Sequence, residues 1–171
     1  MNTIKIVTIG AYGFNETGFF RALQKAQVDT FCDIRLRRGV RGRQYAFANS
    51  QRLQNRLAEL GICYLYRQDL APTRAVRAVQ DNADKASKTA KRQRTQLGAA
   101  FTAAYEAECL AHFDPLTLVA ELPPDAKVVA LFCVERTPDA CHRSLVAAKL
   151  AHELELDVEH LLPYEQGSLV D

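Results

Sequence analysis

The sequence predicts a three-layer α/β fold of the Rossmann/flavodoxin-like kind, with about five mostly parallel strands flanked by helices in a single domain over residues 1–171. Three observations predict it. Short, β-branched apolar runs end at Gly, Asp or Glu, stretches of helical period separate them, and the two kinds of segment alternate along the chain. Alternation of that kind implies right-handed crossovers and a parallel sheet with helices on both faces. The chain's 171 residues, 48 % hydrophobic and 25 % charged, suffice for one ordinary core, and 8 Gly with 6 Pro exclude collagen-like and disordered chains.

The first strand is residues 4–9, Ile-Lys-Ile-Val-Thr-Ile, closed by Gly10. After a turn at Gly13 and Asn15, residues 16–27 put Phe19, Phe20, Leu23 and Ala26 on one helical face. Residues 28–34 form the second strand. Ser50 then caps a helix carrying Leu53, Leu57 and Leu60, Gly61 stops it, and residues 62–66 form the third strand. Residues 74–111 read as one long helical region. Its first part, the basic segment 74–96, has only a thin stripe of Val76, Val79, Ala83, Ala86 and Ala90, and is expected to be the weakly packed, mobile element. Pro123 and Pro124 break the chain before residues 127–133, the most apolar strand. Thr137-Pro138 predicts a helix start, Thr as cap and Pro in the first turn, for a helix reaching about Leu154. Residues 156–161 supply the last strand.

The longest uninterrupted apolar run, 128–134, has seven residues, too few to span a bilayer. With no cationic, then hydrophobic, leader at its start, the chain reads as cytoplasmic and without a membrane partner. Five scattered cysteines and no Cys-x-x-Cys argue against a disulfide framework or a zinc ribbon. Neither a metal nor another cofactor is expected. The net charge of +2 conceals two opposed blocks: residues 35–94 hold 15 basic against 4 acidic residues, while the rest of the chain is acidic.

In parallel α/β sheets, ligands bind beyond the carboxyl ends of the strands. Thr8, Gly10 and Tyr12 lie there after the first strand, Asp33 and Arg35 after the second, Tyr64, Tyr66, Arg67 and Asp69 after the third, Cys133 and Glu135 after the fourth, and His160 after the fifth. The loop that follows Asp33 carries Arg35, Arg37, Arg38, Arg41 and Arg43, with Gly39 and Gly42 between them. Guanidinium forks match phosphate and carboxylate oxygens, and glycines let the backbone approach them. Asp33 pairs with Arg35 or acts as a base. Further on, Lys85, Lys88 and Arg92, with Lys91 and Arg94 beside them, recur at helical spacing as a basic ridge. Tyr12, Tyr45, Phe47, Tyr64 and Tyr66 either stack on bases or belong to the core and pocket wall.

The segment from Cys133 through Glu135 to Cys141-His142-Arg143 carries the sharpest chemistry. A thiol beside His or Arg ionises more readily, and a helix start together with Arg143 suits an anion. The Cys-x5-Arg loop of cysteine phosphatases does not fit, because the sixth residue after Cys133 is Asp139. Cys133, Glu135, Cys141 and His142 around a metal match no standard zinc spacing. Cys32 and Cys63 read as inert strand residues, and Cys109, His112 and His152 as structural.

Thr8-Ile9-Gly10, Asp33-Ile34-Arg35, the arginine loop leading to Phe47, Leu53 and Leu57 before Gly61-Ile62-Cys63-Tyr64, and Cys133-Val134-Glu135 with Cys141-His142-Arg143 together resemble the family catalogued as domain of unknown function 488. Two departures stand out: Leu70-Ala71-Pro72 replaces a Leu-Gly-Gly turn, and the arginine loop lacks Pro and Ser. The resemblance implies which residues matter and leaves the reaction open.

The expectation is binding of, or catalysis on, a phosphate-bearing ligand, a nucleic acid or a nucleotide. Thr8, Gly10, Tyr12, Arg35, Arg37, Arg41 and Arg143 would line the ligand site, Glu135 or His142 would act as acid or base, and Cys141 or Cys133 is the candidate nucleophile. Any enzyme of this kind is a hydrolase or transferase. The alternatives are a regulatory module docking an acidic protein and a metal-dependent hydrolase using Asp33 and Glu135.

Overall fold

The computed structural model describes residues 3–90 and 95–163. Five parallel strands, β1 (Lys5–Gly10), β2 (Thr30–Asp33), β3 (Cys63–Tyr66), β4 (Val128–Cys133) and β5 (Val158–Leu161), form one sheet in the order β3-β2-β4-β1-β5. β1 and β4, buried for most of their length, pair from Lys5↔Val128 to Gly10↔Cys133. The edge strands β3 and β5 are shorter and only partly covered.

Side chains alternate across the pleat and divide the core in two. Val7, Ile9, Phe31, Ala130 and Phe132 face α1 (Glu16–Lys25) and α2 (Ser50–Glu59), whose Phe19, Phe20, Leu23, Leu53 and Leu57 fill that side. Phe19 is its hub, with ring contacts to Phe14, Phe20, Phe31, Phe47 and Phe132. Ile6, Cys32, Val129 and Leu131 face the other way, toward α3 (Arg74–Ser87), α4 (Ala99–Glu108), α5 (Pro115–Glu121) and α6 (Arg143–Leu154). Burial pushes the Cys32 thiol up to about 12, in keeping with an inert core residue.

The layers follow the sequence reading, and the differences have local causes. β4 lies between β1 and β2, which are neighbours in a Rossmann sheet. The helical region 74–111 is divided: α3 ends with Lys88 in the left-handed region, and α4 begins after Gly98, whose N–H donates to Gln80 Oε1 at 2.8 Å. Gln80 and Val76 are buried, so α3 is anchored to α4 across its Val face. Lys91, Arg92 and Arg94 of the basic ridge lie outside the described residues. α5, which the sequence reading did not separate, starts at Asp114, whose side chain accepts from Leu116 N, with Pro115 in the first turn. Thr137-Pro138 opens only a single 3-10 turn, Pro138–Ala140; Cys141 is extended and α6 begins at Arg143. Among the described residues, no helix is long and apolar enough to cross a membrane.

Insertion of β4 creates the crevice. From β1 the chain leaves toward β2 under α1, whereas from the adjacent β4 it leaves toward β5 under α6 on the opposite face. Neighbouring strands whose connections diverge open a gap beyond their carboxyl ends, here beyond Gly10 and Cys133.

At the other end of the sheet, Asp29 gathers three strands. Its Oδ2 accepts from Lys127 N at 2.7 Å and Val128 N at 2.9 Å, its Oδ1 accepts from Thr30 Oγ1, and its backbone bonds Val128 O and Cys63 N. Asp29→Ala should cost about 1–3 kcal/mol, since it leaves the start of β4 without acceptors, and Asp29→Asn should cost less because one acceptor oxygen remains. Urea unfolding midpoints of the two variants measure the difference.

Candidate functional site

Loops from four strands meet above Gly10 and Cys133. The loop after β4 folds back over β1, so that Tyr12 N donates to Val134 O at 2.9 Å. A Cβ on Gly10 would collide with the Glu135 carbonyl and lie 2.9 Å from Arg143 Nη1, which explains a glycine at this strand end. Arg143, fully buried, holds the fold-back: Nη1 donates to Glu135 O, Nη2 to Arg136 O at 3.2 Å and Nε to Thr8 Oγ1 at 3.3 Å. Thr8 Oγ1 also shares a 2.6 Å hydrogen bond with His160 Nδ1.

Asp33 and Arg35 form a second buried node. Arg35 donates from Nε to Asp33 Oδ1 at 2.9 Å, from Nη2 to Oδ2 at 2.8 Å and from Nη1 to Ala48 O at 2.8 Å, and stacks over Phe132. Tyr64 Oη donates to Asp33 Oδ2 at 2.8 Å. Burial, with the Asp33 charge adding to it, pushes that phenol up to about 12, so it stays a donor.

Thr8, Gly10, Asp33, Arg35 and Arg143 are therefore interior groups that shape the edge, rather than surfaces open to a ligand. The ion pair is the one of Asp33's two expected roles that the geometry displays. Both Asp33 carboxylate oxygens are engaged, Oδ1 by Arg35 and Oδ2 by Arg35 and Tyr64. Tyr12 is half-buried, its ring 5.0 Å from that of Tyr45. Phe47 belongs to the core; Tyr66 lies beneath the Arg38 guanidinium and donates to Leu36 O, steadying the arginine loop. Arg37, Arg41 and Arg43 are exposed. Val40, between them, packs against the Cys133, Val134 and Cys141 cluster, which brings this loop to the mouth of the crevice.

Cys133, Glu135, Cys141 and His142 do come together, lining a pocket of about 40 Å³. Cys133 Sγ lies 3.4 Å from Glu135 Oε2, Cys141 Sγ lies 3.8 Å from His142 Nδ1, and His142 Nε2 lies 3.0 Å from the Ile34 carbonyl. Tyr105 covers the imidazole edge-on at 5.5 Å. The Cys133 thiol is pushed well above its ordinary value, first by its hydrogen bond with Cys141, then by burial, then by the charges of Cys141 and Glu135. At neutral pH it is a protonated thiol, which as it stands is no nucleophile.

The far wall comes from residues outside the expected site: Pro72, Arg77, Gln80, Asp81, Leu97 and Phe101. Arg77 and Gln80 are a helical turn apart on α3. Gln80 is buried, bridging Gly98 N and Asp84 Oδ1, and Arg77 Nε is buried with no hydrogen-bond partner among the described residues. A guanidinium nitrogen left over at a pocket wall is where a ligand oxygen or a water would bind.

The family described as domain of unknown function DUF488 matches residues 17–150, from α1 into α6. No curated protein and no solved structure matches the chain. The matched span contains Asp33, Arg35, Cys133, Glu135, Cys141, His142 and Arg143; Thr8, Gly10 and Tyr12 precede it.

Gly10→Ala should lower stability by about 1–3 kcal/mol, because the new methyl must displace backbone at Glu135. The same change should raise the reactivity of Cys133 toward a small alkylating agent, as the displaced loop uncovers the pocket. Thermal unfolding and peptide mapping of labelled thiols read the two effects.

Proposed function

We propose, from the premise that the chain belongs to the family of domain of unknown function DUF488, that the carboxyl edge of the sheet binds a phosphate-bearing ligand, and a nucleic acid in preference to a free nucleotide. Arg37, Arg41 and Arg43 contact phosphates, while Glu135, in the pocket beside them, is the acid–base group that faces the bound strand.

The observation that carries this reading is the packing of Val40 on the Cys133–Val134–Cys141 cluster, which sets an exposed, arginine-rich loop at the rim of a pocket lined by titratable groups. Loop cations in this position meet the oxygens of any polyanion lying across the crevice. Pocket size favours the polymer. Sites that enclose a small organic ligand measure roughly 300–1,000 Å³, and 40 Å³ accepts no nucleobase. The ligand therefore lies on the exposed edge and offers only a small group to the pocket. The tilted rings of Tyr12 and Tyr45 give that edge an apolar patch on which a base can rest.

Fluorescence anisotropy with single- and double-stranded DNA and RNA, over a salt series, tests the reading. Affinity should fall as salt rises, and Arg37→Ala/Arg41→Ala/Arg43→Ala should flatten the log–log slope by about 2–3, one released counterion for each lost phosphate contact. Absence of binding at low salt overturns the proposal, and an unchanged slope in the triple variant removes the loop from it. Binding of an acidic protein in place of nucleic acid would favour a regulatory docking module.

A further inference from the structure

Nucleic-acid binding at the sheet edge makes no use of the two thiols in the pocket. Cys133 Sγ, Cys141 Sγ and a ring nitrogen of His142 lie within 4.8 Å of one another, and all three residues are buried. Their partner groups settle how the ring is oriented. A backbone carbonyl only accepts, so His142 Nε2, 3.0 Å from Ile34 O, carries a proton. In the neutral imidazole, Nδ1 then presents its lone pair on the side of Cys141 Sγ, 3.8 Å away. An imidazole held by N–H···O=C through one nitrogen, with the other turned to further donor atoms, is how metal-ligating histidines are usually fixed.

The spacing is right for a small ion. Bonds of ~2.3 Å to sulfur and ~2.0–2.1 Å to nitrogen put the corners of a tetrahedral site about 3.3–3.8 Å apart. The cluster needs only side-chain torsions to close by up to an ångström or so. Two sulfurs and one nitrogen are the donors that zinc accepts in proteins, whereas magnesium and calcium take oxygen. All five cysteines are free, so neither sulfur is committed to a disulfide. The donors also open onto the pocket, whose 40 Å³ leaves room for about three or four waters at roughly 10–15 Å³ of probe volume each. Glu135 stands at that opening, beside Cys133 and outside the three-donor cluster.

We infer that Cys133 Sγ, Cys141 Sγ and His142 Nδ1 bind a single Zn²⁺ ion, with a water in the fourth position facing Glu135. Both thiols lose their protons to solvent when the ion enters, and the resulting thiolates and the imidazole each donate an electron pair to the metal. Three protein ligands and a water are the pattern of catalytic zinc sites, where structural sites close all four corners with side chains. The sequence groups these residues without a standard zinc spacing, because β4 supplies Cys133 while the approach to α6 supplies Cys141 and His142.

The test uses full-length protein purified under reducing conditions without chelator, assayed for zinc, then stripped and titrated with Co²⁺. The expected result is stoichiometric zinc and, with cobalt, a thiolate-to-metal charge-transfer band with the intense visible bands of a four-coordinate ion, displaced by Zn²⁺. Cys133→Ser and Cys141→Ser should each diminish the charge-transfer band. His142→Ala should weaken cobalt affinity at least tenfold, and Cys32→Ser and Cys63→Ser should leave the spectrum as it is, with far-UV circular dichroism reporting that each variant is folded. A folded wild-type protein that gives no thiolate–cobalt band overturns the inference. So does a spectrum unchanged in Cys133→Ser and Cys141→Ser, or a Cys133–Cys141 disulfide in the reduced preparation. Because the spectrum does not depend on nucleic acid, the zinc site and the nucleic-acid proposal fail separately.

Discussion

The buried guanidinium of Arg143 is the constraint on which the edge of this sheet depends. A cation taken wholly out of water is tolerable only when hydrogen bonds replace its hydration. Arg143 finds its acceptors in the carbonyls of Glu135 and Arg136 and in the Thr8 hydroxyl, so the loop after β4 has to turn back across β1. Gly10 leaves space for that turn. With the loop in place, the Glu135 side chain stands beside Cys133. Because Arg143 is the first residue of α6, Cys141 and His142 are delivered to the same spot.

Asp33 and Arg35 do the corresponding work one loop away. Their two-pronged ion pair is sealed by Phe132 and Tyr64 and tied to Ala48 O, so the start of the arginine loop is fixed while its tip remains exposed. A shared design follows. In each motif one arginine is internal and shapes a loop, which leaves the loop arginines exposed and gathers the pocket donors beneath them. An arginine count in the sequence does not separate the two kinds, because a guanidinium meets a backbone carbonyl and a phosphate with the same N–H fork.

The charge distribution gains a direction from this division. Residues 35–94, with 15 basic against 4 acidic residues, are strongly basic in a chain whose net charge is only +2. Part of that excess is neutralised internally, by Asp33 on Arg35 and by Asp69 and Glu121 on Arg67, where the Arg67 hydrogen bonds hold the Asp69 carboxyl below its usual range. Arg37, Arg41 and Arg43 keep their exposure at the rim of the crevice.

The sequence by itself determined the layers and the sheet. β-branched runs such as 4–9 and 127–133 are too continuously apolar for anything but buried parallel strands, and the Phe19–Phe20–Leu23 and Leu53–Leu57 faces demand a sheet to cover. It also marked Cys133, Glu135, Cys141 and His142 as one cluster, because they lie on one strand end and the turn after it. Only the tertiary structure decided that β4 separates β1 from β2, since strand order depends on long-range pairing that local pattern does not encode. The same holds for Arg35 and Arg143, whose burial is a property of the loops that close over them, and for Arg77 and Gln80, whose polar row became a pocket wall when α3 packed on α4. Nor does spacing along the chain reveal that His142 turns one nitrogen to Ile34 and the other toward two sulfurs. That orientation arises where two segments distant in sequence meet, and the chemistry proposed for this protein resides there.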